Sequence, residues 1–257
     1  MGSPESAALV ASRTITTWTS RHGPSGCPMS AARIAPRPVN VALATPGYAR
    51  PVPSPKTLRV LLIRHGQTPT TGQILPGRAP GLHLSEHGRT QAEAVAQRLT
   101  GVNLAALYTS PLERARETAA PTEAATGKTA TVEPALLECD FGDWTGEQLS
   151  SLAKLKQWRL VQTAPSTFRF PGGESFVELQ TRMIALLERL RIAHPGGIVA
   201  CFSHADPIKA LLTHAMGTHL DHFQRVDVGT GSISVIDWPG DGAPIVRTVN
   251  STHGPLP

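Results

Sequence analysis

The sequence predicts a three-layer α/β/α domain on a mostly parallel sheet. Two short, wholly apolar runs, residues 60–63 and 198–202, have the Val/Ile/Leu character of strands buried on both faces. Amphipathic helical stretches alternate with these runs and with weaker strands, the pattern of an α/β domain. Both apolar runs end abruptly in polar residues, Arg64-His65-Gly66 and Ser203-His204, and ligands of open α/β sheets bind at such strand ends.

The chain has 257 residues, enough to bury a sizeable core. Its charge is unevenly placed. Residues 1–57 hold Arg13, Arg21, Arg33, Arg37, Arg50 and Lys56 against Glu5 alone, so this segment accounts for the whole net charge of +5. With nine prolines and no amphipathic period, it reads as a disordered Pro/Arg-rich tail. The rest is electrically balanced and lacks the basic face of a nucleic-acid-binding domain, so no nucleic-acid partner is expected. The tail lacks the apolar stretch of a secretory signal. It resembles an organellar transit peptide, or an over-extended start with Met29 as a second initiation point.

Cys27, Cys139 and Cys201 have no metal-like spacing, which fits a reducing, cytoplasmic setting without a disulfide framework. No stretch reaches the ~18 apolar residues that cross a bilayer, so no membrane association is expected.

Taken in order, residues 58–63 form the first strand and Gly66 turns the backbone sharply after it. The same tripeptide at Arg21-His22-Gly23 follows no apolar run, so nothing there presents it. A Gly/Pro-rich loop spans residues 69–84. Ala92, Val95, Ala96 and Leu99 then mark one face of a helix, and residues 105–109 a strand that completes a βαβ unit. Ser110, Pro111 and Glu113 have the order of a capping box, which places Arg114 on the first turn of the next helix. After a short strand near 130–132 come the acids, glycines and aromatics of 136–146. Glu138 among them suits a proton donor if it is buried.

Residues 147–171 have weak periodicity. A second capping box, Ser175 to Glu178, opens a helix with Phe176, Leu179, Met183, Leu186, Leu187 and Leu190 along one stripe. Asp206-Pro207 reads as the cap of a helix after the second buried strand. Residues 232–238 and 245–249 alternate about a Pro-Gly-Asp-Gly turn, an antiparallel hairpin. The domain therefore spans 58–250, with a short tail at 251–257.

Two histidines, two arginines and a glutamate thus converge on one sheet edge. They form a parts list for phosphomonoester cleavage: arginines and an imidazolium neutralise the phosphoryl charge, a neutral imidazole attacks phosphorus, and a carboxylic acid protonates the leaving oxygen. His214, His219, Asp221 and His222 read as a helix end and loop in preference to a metal site.

The motifs LLIRHGQT at 61–68, LSEHGRTQA at 84–92, YTSPLERARETA at 108–119, LLECDFGDWTG at 136–146, PGGESF at 171–176 and FSHADPIKALL at 202–212 resemble the histidine phosphatase superfamily in order and spacing. The resemblance implies a phosphoglycerate-mutase-like fold and no cofactor or metal. It makes His65 the nucleophile, Arg64, Arg114 and His204 the phosphate pocket, and Glu138 the general acid, with Gln67 and Thr68 at the entrance. Thr71 stands where many relatives carry an asparagine that touches phosphate. Ala205 stands where many carry glycine and still offers its N–H.

The activity implied is hydrolysis of a phosphate monoester of a small metabolite through phosphohistidine. The alternatives are a phosphoglycerate-type mutase and a catalytically silent module that binds a phospho-ligand. Only 33 residues separate Glu138 from Gly172, so the site is expected to be open to water, which favours hydrolysis over mutase chemistry. Substrate choice is expected mainly in residues 144–171, with the 69–84 loop second. The oligomeric state is left open, a dimer being one option.

Overall fold

The computed structural model describes residues 56–257. The expectations for the N-terminal tail and Cys27 lie outside the described residues.

The first strand, β1 (Leu58–Arg64), is buried along nearly its whole length. It is followed by α1 (Glu86–Leu99), β2 (Ala106–Thr109), α2 (Glu113–Thr126) and β3 (Ala130–Val132). Two short helices, α3 (Leu149–Leu152) and α4 (Lys156–Thr163), occupy the weakly periodic stretch. Then come α5 (Phe176–Ala193), β4 (Ile198–Ser203), α6 (Ala205–Ala215) and the hairpin β5 (Ile233–Trp238) and β6 (Ile245–Ser251).

The six strands form one sheet in the order β3-β2-β4-β1-β5-β6. The β3, β2, β4 and β1 strands run parallel, and β5 and β6 add an antiparallel edge. Because side chains alternate across a strand, Leu58, Val60 and Leu62 pack with α5 and α6 on one face. Leu61 and Ile63 pack with Val95, Leu99 and Ala119 of α1 and α2 on the other. This is the expected three-layer, mostly parallel architecture. An aromatic cluster that includes Phe141, Trp144, Phe168, Phe170, Phe176 and Phe223 forms a third core beside α5. Beyond β6, the carbonyls of His253 and Gly254 accept hydrogen bonds from Arg98 of α1.

Four details differ from the sequence expectation. The β1 and β2 strands are not neighbours, because β4 lies between them and pairs with both. The first helix begins at Glu86, with Ser85 accepting from the Gly88 N–H at 3.1 Å, and a glycine in its first turn masks it in the sequence. The Ser110 capping box does not form: Leu112 stands at the N-cap of α2 without a side-chain cap bond, and the Ser110 hydroxyl is used elsewhere. Asp206 is not a cap either, since His204 takes the N-cap position of α6 and Asp206 falls in its first turn. The Ser175–Glu178 capping box is present in full.

Candidate active site

Register sets the site. Arg64 is paired with Ser203 across β1 and β4, so His65 and His204 leave adjacent strand ends side by side. The His65 N–H also donates to the Ser203 carbonyl at 3.0 Å. Their rings meet edge to face with centroids 5.1 Å apart. The turn after β1 needs two glycines. A Cβ on Gly66 would lie 2.4 Å from the Gly88 carbonyl oxygen, and one on Gly88 would lie 2.0 Å from that of Gln67. The first turn of α1 therefore rests directly on the backbone that carries His65.

His65 is buried, and its Nδ1 lies 2.7 Å from the carbonyl of Gly66. The Nε of Arg114 donates to His65 Nε2 at 3.3 Å. Nε2 is thus an acceptor and Nδ1 carries the proton, the tautomer a nucleophilic Nε2 requires. Burial, then the charges of Arg114 and Arg64, hold the imidazole well below the ordinary histidine range. Arg114 is fully buried and also donates to the Gly77 carbonyl at 2.8 Å, while Arg64 donates to the Val228 carbonyl at 2.6 Å.

His204 Nε2 lies 2.8 Å from the Ser110 hydroxyl, so Ser110, read in the sequence as a helix cap, belongs to the site. Burial and then Arg114 hold His204 too well below the ordinary range, which makes both imidazoles neutral here rather than one of them an imidazolium. Among the described residues, Arg64 Nε, Arg114 Nη1 and His204 Nδ1 are buried without a partner. Buried donors of this kind need an acceptor to offset their desolvation, and a phosphoryl group brings three oxygens.

Glu138 is buried with Oε1 accepting from the Cys139 N–H at 2.9 Å, and burial, with the charge of Asp206 adding to it, pushes its carboxyl up to about 7. Its main chain is pinned from behind, because the Glu138 carbonyl accepts from Arg78 Nε at 2.9 Å and from Arg182 Nη2 at 3.1 Å. Both guanidiniums also bind Glu174. None of these three is recognisable in the sequence, since they meet from the 69–84 loop, α5 and the PGGES turn.

Arg64, His65, Thr68, Thr71, Glu138 and Ala205 line one cavity of about 240 Å³. The Thr71 hydroxyl accepts from the Thr68 N–H at 2.9 Å, which ties down the loop. Gln67 is not on this wall; its backbone N–H is held by the Gln91 side chain at 2.8 Å. Ile74, Leu75, Pro76, Phe141 and Leu149 form the apolar part of the wall, and Asp206 and Lys209 of α6 complete it. From residues 144–171 only Leu149 reaches the cavity; Trp144, Phe168 and Phe170 are core, and Arg169 is paired with Glu178 at the surface.

Among the described residues no three His, Cys, Asp or Glu side chains gather as a metal cluster. His214 stacks on Trp238, and His219 accepts from the Asp221 N–H. Cys139 and Cys201 are buried thiols, and burial pushes Cys201 up to about 12.

A mostly parallel sheet that delivers cationic donors, a neutral imidazole and a carboxyl raised to about 7 to one small cavity defines a phosphoryl-handling α/β protein of phosphoglycerate-mutase-like fold. The comparison with known proteins gives its family: the chain belongs to the histidine phosphatase superfamily (branch 1), whose profile matches residues 60–251. A Mycobacterium tuberculosis protein, Rv0525, is 32% identical over 191 residues, 73% of this chain and 93% of its own length. Phosphoserine phosphatase 1 of Hydrogenobacter thermophilus is 30% identical over 184 residues, 70% of this chain and 86% of its own. The solved structure of mycobacterial glucosyl-3-phosphoglycerate phosphatase Rv2419c superposes with a TM-score of 0.69 at 26% identity, over 76% of this chain and 100% of that one.

Proposed function

We propose that the chain hydrolyses a small phosphate monoester through phosphohistidine at His65. The observation that carries this reading is the hydrogen bond from Arg114 to His65 Nε2, which leaves a neutral, oriented nucleophile beside unpartnered cationic donors. Phosphoryl oxygens take the free donors of Arg64, Arg114 and His204 and the Ala205 N–H. Nε2 attacks phosphorus and the P–O ester bond breaks. Glu138 gives its proton to the departing alkoxide. Water then attacks the phosphohistidine, Glu138 takes a proton from it, and inorganic phosphate leaves with His65 restored. The bound dianion supplies the negative charge that raises His204, so its imidazolium form belongs to the complex.

The cavity, at about 240 Å³, is below the size of ordinary drug-like sites, which supports a small substrate. Relatives named as phosphoserine and glucosyl-3-phosphoglycerate phosphatases fit the same class. Buried thiols at Cys139 and Cys201 fit a reducing, cytoplasmic setting. No helix among the described residues is long and apolar enough to cross a membrane. A screen of phosphorylated metabolites with phosphate release as readout tests the reading, and no release from any phosphomonoester, generic aryl phosphates included, overturns it.

A further inference from the structure

The cavity wall carries more than the groups assigned to the phosphoryl transfer. Besides Arg64, His65 and Glu138 it includes Leu149 and, about one helical turn apart on α6, Asp206 and Lys209. Asp206 enters the chemistry above only through its charge, which helps to raise Glu138. Among the described residues no hydrogen-bond donor or ion-pair partner engages its half-buried carboxylate; Lys209 and Arg64 act on it through charge alone. The Lys209 ammonium is taken up elsewhere, donating to Gln224 Oε1 at 3.1 Å and lying 5.5 Å from the centre of the Phe223 ring.

A carboxylate short of donors is unfavourable unless something supplies them. The phosphoryl group cannot, because it brings only acceptors and negative charge. In the free protein water can supply them, and in the complex the leaving alcohol is the part of the substrate that can. An alcohol that carries a carboxylate sets two like charges together in a small cavity. One that carries an ammonium brings N–H donors and the opposite charge.

We propose that Asp206 reads the leaving group, and that the preferred substrates are small aminoalkyl phosphate monoesters whose primary ammonium binds the Asp206 carboxylate. The assignment rests on the phosphatase reading of the same cavity.

The test measures kcat/KM of the full chain for phosphoethanolamine, glycerol 3-phosphate and 3-phosphoglycerate, each relative to phenyl phosphate. In the wild-type protein phosphoethanolamine is expected to exceed 3-phosphoglycerate by roughly tenfold or more, the size of one charge-assisted hydrogen bond. In Asp206→Asn and Asp206→Ser the phosphoethanolamine-to-phenyl-phosphate ratio falls by about the same factor, and the 3-phosphoglycerate ratio rises. Ratios are used because removing a charge beside Glu138 alters its titration for every substrate. Equal wild-type rates for the amine and the carboxylate, or ratios that do not move in a folded variant, overturn the assignment while phenyl phosphate turnover keeps the phosphatase reading standing. If phenyl phosphate and all the others are inert, the phosphatase reading fails and this assignment fails with it. Should both variants fail to fold, the wild-type order alone decides.

Discussion

Arg114 Nε and His65 Nε2 lie 3.3 Å apart, so the guanidinium that fixes the nucleophile's lone pair also stands ready for the phosphoryl oxygens. In the resting site that nitrogen is an acceptor; in the proposed transfer it is the atom that bonds to phosphorus. The same arginine holds Gly77 of the entrance loop, which couples loop position to nucleophile position.

His65→Ala is therefore expected to abolish turnover with the fold retained, since it removes the bond-forming atom and leaves Arg114 its bond to Gly77. Protein quenched during turnover of labelled substrate should carry label on His65. Wild-type activity in the variant, or label on another residue, would contradict the assignment.

In the proposed mechanism Glu138 sets both leaving-group dependence and pH dependence. Glu138→Gln should slow alkyl phosphates by ~10²–10⁴-fold and aryl phosphates far less, because a phenolate needs little protonation. With the carboxyl near 7, wild-type turnover of alkyl esters should fall as pH rises through about 7, and this limb should be absent in the variant. Stability follows the same group. Its native pKa lies above the usual carboxyl value of about 4.3, so the folded state keeps a proton that the unfolded chain has released. The stabilisation is full below the unfolded value and is lost as pH rises through about 7. The melting temperature of Glu138→Gln relative to wild type should accordingly be higher at pH 8 than at pH 4.5. A constant difference would show that Glu138 is not buried in the way described.

Gly88→Ala should disturb the site without touching a side chain in it. Its Cβ would sit 2.0 Å from the Gln67 carbonyl oxygen, a backbone atom two residues from His65. Overpacking of this kind costs about 1–3 kcal/mol, so calorimetry should show a lowered melting temperature together with reduced turnover. A neutral result would mean that α1 can slide away from the turn freely.

How legible all this is in the sequence depends on the range of the interaction. β1 and β4 stand out because an apolar run needs no partner to be recognised, and the Arg-His-Gly and Ser-His that close them follow directly. Ser110 misleads because Ser-Pro-x-Glu satisfies a local capping rule, while its hydroxyl instead meets His204, 94 residues away in the chain. Arg78, Arg182 and Glu174 support Glu138 from three separate segments and leave no local signature. Asp206 looks like a helix cap next to Pro207, and only the cavity that α6 lines together with the entrance loop shows where it lies.

The chemistry described above uses no metal ion, since arginine and histidine supply all the positive charge. Activity should survive exhaustive treatment with EDTA, measured on aryl and alkyl phosphates alike. Loss on chelation, restored by one divalent ion, would require ligands outside the groups named here.

Discrimination by leaving-group size should map to two strands of loop joined edge to edge, not to the surface of α4. The Leu75 N–H donates to the Glu147 carbonyl at 2.9 Å, the Gly146 N–H to the Leu75 carbonyl at 2.8 Å, and the Leu149 N–H to the Gln73 carbonyl at 2.9 Å. These bonds hold Ile74 and Leu149 on the same cavity wall. The sequence places specificity mainly in 144–171, but in that segment Trp158 packs on Trp144 with ring centres 6.2 Å apart, Arg159 is exposed, and Arg169 pairs with Glu178. Alanine at Trp158 or Arg169 should thus alter stability while relative rates across a panel of phosphate esters keep their order. Leu149→Ala and Ile74→Ala enlarge the end of the cavity that holds the leaving alcohol. They should shift the panel toward bulkier esters, by roughly the 10–200-fold that one or a few methylenes are worth in a hydrophobic pocket. A reordered panel in Trp158→Ala, with Leu149→Ala unchanged, would return specificity to α4.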